Sequence, residues 1–264
     1  MYANPKLILT AAPDDSRAAR AAGLTLAHLA YRVGGGPHLF RANLPVAVRG
    51  GLMVIDNEGF DGRGEATPFC HEVLRECTAR GFTGVVCRFT GRPLSLLAQA
   101  IAQLGELLDK RGWPLYVTEA YGDASDKARV LIPTALSGGS LRQRLEEAVE
   151  HYGHDRVALA VERVAEDFFL PSPTGQGTPL SREELADRLA QRNPTVFFSS
   201  ELCAHYFTYM SKENGAHFIL FDDAGSIRKK LQLAAGLGIS TALLDYRAVD
   251  DLLPRLLEHS APQA

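Results

Sequence analysis

Cysteine is scarce in this 264-residue chain, and its few copies follow no pattern typical of disulfide scaffolds or zinc sites. Neither a C-x-x-C pair nor histidines at zinc-finger spacing accompany Cys70, Cys77, Cys87 and Cys203. We therefore expect reduced thiols, no metal and no other cofactor. Cys70 and Cys77 are seven residues apart on a predicted helix, which favours two small buried residues facing the core over a redox pair.

An excess of positive charge is also missing. The net charge at pH 7 is -3 and the basic residues form no stripe, so nothing supplies the field that neutralises nucleic-acid phosphates. No apolar run approaches the roughly 20 residues of a membrane span, and residues 1–12 lack the pattern of a secretory signal. We expect no nucleic-acid partner, no membrane segment and a cytoplasmic location. A glycan or small-molecule ligand, and the oligomeric state, stay open.

What the sequence does contain is a set of short apolar runs that alternate with amphipathic stretches. Hydrophobic residues make up 46% of the chain, and this alternation is typical of βαβ units around a buried parallel sheet. The runs predict a single (β/α)8 TIM barrel over residues 1–264, a length typical of that fold. An open doubly wound sheet is the alternative, but no G-x-G-x-x-G follows the first run. The eight runs are 7–10, 24–31, 51–56, 83–89, 114–119, 130–135, 157–161 and 240–244.

Residues 168–221 interrupt the alternation and predict a small α+β insertion between the seventh and eighth barrel strands. A loop rich in Pro and Gly at 171–179 leads to a helix capped by Ser181, with Glu183 and Glu184 in its first turn. Short aromatic strands complete the insertion, and Asn214-Gly215 is a strong signal for a hairpin turn. These strands are 195–199, 207–210 and 217–221.

The closing part of the chain resembles a known family. Residues 221–231, which read F-D-D-A-G-S-I-R-K-K-L, match the helix start F-D/E-D-A-x-S-I-x-x-K-L of bacterial glycoside hydrolase family 18 enzymes, especially those of spore formers. The aromatic hairpin that begins with residues 205–209, H-Y-F-T-Y, resembles the segment that precedes that helix in the family. The likeness covers roughly residues 51–247. It implies a TIM barrel built to cleave polymers of β-linked N-acetylglucosamine.

Family members carry D-G-x-D-x-D-x-E on the fourth strand. The resemblance implies that the glutamate is the general acid and that the preceding aspartate helps the substrate's acetamido group attack the anomeric carbon. Here a threonine takes the place of the glutamate, and a threonine hydroxyl does not protonate a leaving oxygen near neutral pH. Arg88 adds positive charge where a cation must develop. The four acid positions hold Thr83, Val86, Arg88 and Thr90, and Glu106 is the only acid from residue 80 to 107.

Two further elements of the family's site are replaced. Where the sixth strand of the family carries M-x-Y-D-Y, whose tyrosine and aspartate hold the acetamido group, residues 132–136 read I-P-T-A-L. Asp245 stands where the family has the tryptophan that forms the floor of the sugar site. The sequence therefore predicts a family 18-like barrel without the family's catalytic groups.

Acids remain at other predicted strand ends, where barrel enzymes place their sites. Asp56 or Glu58 would flank the mouth opposite Glu119 at the roughly 6.5–9.5 Å separation of an inverting pair. Arg88 between them favours an ion-pair network over a general acid. Tyr121 offers a stacking surface for a sugar ring, although packing is the commoner role of such aromatics. The predicted ligand-binding residues are Arg88, Glu58, Glu119, Glu162, Asp245 and Tyr121.

Three functions are consistent with these patterns. The first is a non-catalytic barrel that binds a glycan or another ligand at its mouth. The second is a carbohydrate hydrolase with relocated carboxylates, for which Glu119 and Asp56 are the first candidates. The third is a protein-interaction scaffold whose mouth is filled by its own side chains, so that no cavity lies at the strand C-termini.

Overall fold

The structure is a computed structural model that describes residues 4–42, 48–171, 175–211 and 215–258. Its strands are β1 Lys6–Ala11, β2 Thr25–Gly34, β3 His38–Arg41, β4 Leu52–Asp56, β5 Val85–Arg88, β6 Leu115–Thr118, β7 Ala128–Pro133, β8 Val157–Val161, β9 Ala165–Leu170, β10 Thr178–Pro179, β11 Phe197–Ser199, β12 Ala204–Ser211, β13 Gly215–Phe221 and β14 Thr241–Asp245. Its α-helices are α1 Ser16–Arg20, α2 Ala66–Arg80, α3 Ser95–Asp109, α4 Leu141–Tyr152, α5 Arg182–Arg192, α6 Ala224–Gly236, α7 Tyr246–Val249 and α8 Leu253–Leu257. Short 3-10 helices cover Pro13–Asp15 and Glu119–Ala124.

Parallel strands close into the barrel that the sequence predicts. Around the barrel their order is β1, β2, β4, β5, β6, β7, β8 and β14. β1 pairs in parallel with both β2 and β14, so the sheet returns to its first strand. Each predicted apolar run corresponds to one of these strands. The open doubly wound alternative is wrong, because an open parallel sheet has two edge strands, whereas here β1 pairs with both β14 and β2 and closes the ring.

The barrel strands are buried on both faces, which is why they read as nearly continuous apolar runs. Successive side chains on a strand point to opposite faces of the sheet. Leu9, Met53 and Cys87 pack outward in the large core shared with the helices. Their neighbours fill the barrel interior as a separate cluster: Ile8, Ala27, Leu52, Val54, Val86, Tyr116, Leu131, Ala158 and Leu243.

The predicted amphipathic helices cover the outside of the barrel. On α3, Leu97, Ile101 and Leu104 recur at helical spacing and are fully buried. On α2, Cys70 and Cys77 are also fully buried, and burial raises the pKa of both thiols to about 12, which keeps them protonated. Their expected role as small core residues is confirmed. In the described part of the chain, no helix combines the length and the apolar character needed to cross a membrane.

The chain between β8 and β14 forms a second, antiparallel sheet, with strand order β10, β9, β13, β12, β11. β12 and β13 make the expected hairpin, although its turn residue Asn214 lies outside the described residues, as do residues 172–174 of the Pro-rich loop. β9 was not predicted as a strand, and it begins at Ala165, ahead of the expected start of the insertion at 168, because its pairing with β13 extends to Ala165 opposite Phe221. The assignment of residues 168–221 as a lobe within one domain stays a prediction.

The helix of this segment begins where the sequence predicts. The Ser181 hydroxyl accepts a hydrogen bond from the backbone N–H of Glu184 at 3.1 Å, and the Glu184 carboxylate accepts one from the backbone N–H of Ser181 at 2.7 Å. This reciprocal arrangement is a capping box, which satisfies two N–H groups at the start of α5. Leu185, in the first turn, packs on Phe207 and Ile219 of the second sheet.

A buried ion pair connects the end of β13 to α6 and to the link between β8 and β9. The Lys230 ammonium donates to an Asp222 carboxylate oxygen at 2.6 Å, and both side chains are fully buried. Asp222 also accepts from the backbone N–H of Val164 at 2.9 Å and from the Ser226 hydroxyl at 2.6 Å. The carboxylate therefore has three partners, as a buried charge requires. Asp222, Ser226 and Lys230 all belong to the helix-start motif.

Candidate functional site

A cavity of about 620 Å3 opens at the C-terminal ends of the barrel strands. Its volume lies within the range typical of small-molecule sites, about 300–1,000 Å3. Apolar side chains of the barrel interior form its floor, among them Val54, Val86, Leu131 and Leu243. The polar and charged residues of its rim are Thr10, Arg88, Thr90, Thr118, Glu119, Glu162 and Asp245. We call this cavity the mouth. The interaction-scaffold hypothesis expected no cavity at the strand C-termini, and the mouth is such a cavity.

The mouth brings together four of the six predicted ligand-binding residues: Arg88, Glu119, Glu162 and Asp245. Glu58 is exposed on the loop after β4 and does not line the cavity. Tyr121 is 2% exposed; its hydroxyl accepts a hydrogen bond from the backbone N–H of Leu94 at 3.0 Å, and its ring packs edge-on against Phe89. Tyr121 therefore supports the wall behind the mouth and offers no open stacking face.

Glu119 is held by an arginine that the sequence did not single out. It opens the 3-10 helix after β6, and its carboxylate is ion-paired with the Arg144 guanidinium on α4, with both side chains about one-third exposed. The expected network among Arg88, Asp56 and Glu119 is not found. Arg88 makes no ion pair with any residue in the described ranges, and Asp56 accepts a hydrogen bond from the backbone N–H of Glu58 at 3.1 Å.

Glu162, like Asp245 and unlike Glu119, is an acid of the mouth that forms no ion pair among the described residues. It directly follows β8, and its backbone N–H donates to the buried Thr134 hydroxyl at 3.2 Å. Glu162 is exposed at the rim of the mouth, and the protein atoms around its carboxylate still desolvate it enough to raise its pKa, while the charge of Lys230 acts in the opposite direction. A carboxyl group with a raised pKa in a cavity is a common feature of functional sites.

Asp245 occupies the neighbouring strand end. Leu244 pairs with Val161 in the barrel, so Asp245 and Glu162 are the next residues on adjacent strands. The Asp245 carboxylate accepts a hydrogen bond from the backbone N–H of Arg247 at 3.0 Å and caps the short helix α7. Asp245 also contributes to the lining of the mouth.

Solved structures with the same architecture identify the fold. The chitinase of Chromobacterium violaceum ATCC 12472 matches with a TM-score of 0.72 at 15% sequence identity, covering 99% of this chain and 100% of that one. The spore cortex-lytic enzyme SleL of Bacillus cereus matches with a TM-score of 0.71 at 17% identity, covering 98% of this chain and 75% of that one. The class V chitinase of Nicotiana tobaccum matches with a TM-score of 0.62 at 12% identity, covering 97% and 98%.

This chain has the fold of the family 18 chitinases. The resemblance seen in the hairpin and the helix start is thereby confirmed for the fold. No family model matches the sequence, and no curated protein matches it. At these sequence identities the likeness shows the fold alone. The chemistry depends on the residues of the mouth.

The stretch predicted to take the place of the family's catalytic motif is β5 with its flanking residues. Val86 points into the apolar interior and Arg88 is exposed on the rim. The backbone of Thr90 is held by Asn57, which accepts from the Thr90 N–H at 2.9 Å and donates to its carbonyl at 3.1 Å. Thr83 lies before β5, at the opposite end of the barrel, where it lines a different cavity.

Sequence reasoning missed the apolar floor of the mouth and the partner of Glu119. The floor has a readable signal, because a floor residue and a rim residue two positions apart share the inward face of their strand, as Val86 and Arg88 do and as Leu243 and Asp245 do. The Arg144 contact has none, since it joins elements that are far apart in the chain. Within the described ranges, no group of three or more His, Cys, Asp or Glu side chains is arranged to hold a metal ion.

Proposed function

We propose that this protein is a family 18-like barrel that binds a glycan of the N-acetylglucosamine type at its mouth without cleaving it. The observation that carries the proposal is the set of side chains that β5 and the residues after it present to the mouth. Val86, Arg88 and Thr90 line the mouth, and none of them carries a carboxylic acid.

The chemistry explains why these residues would not support the family's reaction. Glycoside cleavage needs a group that protonates the leaving oxygen, and the hydroxyl of Thr90 does not do so near neutral pH. Arg88 places a positive charge beside a centre that must itself become cationic. Loss of general acid catalysis alone costs about 10²- to 10⁴-fold in rate.

The shape and polarity of the mouth favour a polar ligand with an apolar part. Carboxylates such as Glu162 and Asp245 accept hydrogen bonds from sugar hydroxyls, and the floor around Leu131 and Leu243 can contact the methyl of an acetamido group. Two chitinases with this fold were crystallised with such sugars, one in complex with NAG4 and one with (GlcNAc)3. These complexes make N-acetylglucosamine oligomers the first ligands to test.

Isothermal titration calorimetry with chitotetraose tests binding directly. We expect saturable binding to the wild-type chain and at least about tenfold weaker binding by Glu162→Ala, since hydrogen bonds to charged groups contribute about 1.5–3 kcal/mol. Glu106→Ala, on the exposed face of α3, is the matched control and should bind like the wild type. Absence of saturable binding, or equal binding by wild type and Glu162→Ala, would contradict the proposal.

One observation favours a second function, hydrolysis with a relocated acid. Glu162 has a raised pKa and lies in the mouth, as a general acid must. Glu119, the earlier candidate, is committed to Arg144, and Asp56 does not line the cavity. This alternative predicts slow release of sugar from chitin oligomers that disappears in Glu162→Gln.

A further inference from the structure

A second cavity, of about 740 Å3, opens at the opposite end of the barrel from the mouth. It is formed where strands begin: residues at or just before the starts of β1, β2, β4, β5 and β6 line it, together with the end of α1. We call it the basal cavity. None of the residues assigned to the family's motif contributes to it except Thr83, and it is separate from the proposed glycan site.

Four cationic side chains line the basal cavity: Lys6, Arg20, Arg49 and Arg111. All four residues are exposed. No aspartate or glutamate of the described residues is in the lining, and the side chains of Lys6, Arg20 and Arg49 form no ion pair in the described part of the chain. Cations that converge on a concave surface without acids produce a local positive potential, although the whole chain is net negative.

A buried histidine adds an unsatisfied polar group to the same cavity. His28 on β2 lines it and is only 2% exposed. Its Nδ1 atom has no hydrogen-bond partner among the described residues, which is unfavourable for a buried polar atom. Burial lowers the pKa of His28, with the carbonyl of Gly50 opposing and the charge of Arg20 adding to the effect. The ring is therefore uncharged near neutral pH and its buried Nδ1 is a hydrogen-bond acceptor, so the attraction of an anion to this cavity comes from the four cations.

We propose that the basal cavity binds a small molecule that carries two or more phosphate groups. Guanidinium groups pair with phosphate through two parallel hydrogen bonds, and three of the four cations are arginines. Four positive charges exceed what a single carboxylate or monophosphate would neutralise. The cavity volume fits a compact ligand, and its concave shape distinguishes it from the extended basic stripe that a nucleic acid requires.

Trp113 makes this proposal testable by fluorescence, since it is the only tryptophan of the chain. It lines the basal cavity, and the Arg111 guanidinium lies 5.9 Å from the centre of its ring. An anion that pairs with Arg111 would change the charge beside the indole. Titration with pyrophosphate at constant ionic strength should therefore give a saturable change in tryptophan emission, with a Kd below about 1 mM. The melting temperature should rise with pyrophosphate concentration.

Charge-removing variants locate the binding. Arg20→Gln and Arg49→Gln should each weaken pyrophosphate binding by about tenfold or more; both residues are exposed, so the fold should be retained. Arg75→Gln removes the same charge from the exposed face of α2 and should leave the titration unchanged.

Four results would overturn the proposal: no saturable change, equal affinity in the Arg20 and Arg49 variants, equal affinity for monophosphate, or tighter binding of a DNA duplex than of pyrophosphate. Trp113 does not line the mouth, so the outcome of this titration is independent of the glycan proposal.

Discussion

Among single residues, the Asp222–Lys230 pair gives the sharpest expectation for stability. Both side chains are fully buried at an N–O distance of 2.6 Å. Asp222→Asn should lower the free energy of unfolding by about 3–5 kcal/mol, because it leaves the Lys230 ammonium buried without its counter-charge. Urea denaturation monitored by circular dichroism measures the change.

An exposed ion pair supplies the control for that variant. Arg142 and Glu146 are one helical turn apart on α4 at 3.4 Å, and both are at least half exposed. Glu146→Gln should therefore change the free energy of unfolding by no more than about 0.5 kcal/mol. A cost below about 1 kcal/mol for Asp222→Asn would show that the buried charge finds water or another partner.

Glu162 gives a prediction about pH. Its pKa in the folded chain lies above the ordinary value of 4.5, so the folded state holds this proton in a pH range where the unfolded state has released it. Stability from this group therefore falls as pH rises from about 4.5 through the folded pKa. Glu162→Gln removes the effect, and its melting temperature relative to the wild type should increase across that range.

The matched variant for this comparison is Glu106→Gln, which makes the same chemical change on the exposed face of α3. Thermal melts of the three proteins at a series of pH values provide the comparison. A difference between Glu162→Gln and the wild type that is flat, or that shrinks with rising pH, would be inconsistent with a desolvated carboxyl group in the mouth.

For the single residues of the site, the sequence predicts positions along the chain but not side-chain partners. Positions at strand ends follow from the strand pattern, which is why Arg88, Glu162 and Asp245 reach the mouth as expected. Side-chain partners do not follow, because they depend on how helices pack on the barrel. Glu119 is thus ion-paired with Arg144 and not with Arg88.

Among the secondary-structure elements, the start of α5 rests on its capping box. Ser181→Ala removes the hydroxyl that accepts from the Glu184 N–H and should cost about 1 kcal/mol. Hydrogen exchange should increase in the first turn of α5 and leave the barrel strands unchanged. Ser95→Ala is the control, because Ser95 lies in the first turn of α3 and caps no helix. Equal exchange in the Ser181 variant and the wild type would show that the cap contributes nothing.

The elements of the barrel could be predicted because burial on both faces leaves a strong signal in each strand. β3, His38–Arg41, was missed, since its residues are mostly exposed and form no apolar run. The basal cavity was missed for a different reason. Lys6 begins β1, and Arg49 and Arg111 shortly precede β4 and β6. These cations are far apart in the chain, so they form no basic stripe in the sequence, and only the barrel brings them together.

For the whole molecule, the links between the two sheets predict one cooperative unit. Asp222 joins β13 to Val164 and α6, and the backbone N–H of Leu141 donates to the Glu201 carbonyl at 2.8 Å. We therefore expect the barrel and the segment from 165 to 221 to unfold together, with calorimetric and van't Hoff enthalpies that agree. Two resolved transitions would instead indicate a separately folded lobe.

The central claim concerns what the mouth does with a sugar polymer. Chitotetraose incubated with the purified chain at neutral pH, with products followed by mass spectrometry, tests it most directly. We expect no release of shorter oligomers above the rate measured without protein. Release by the wild-type chain that is lost in Glu162→Gln would contradict it and would assign the proton donor to Glu162.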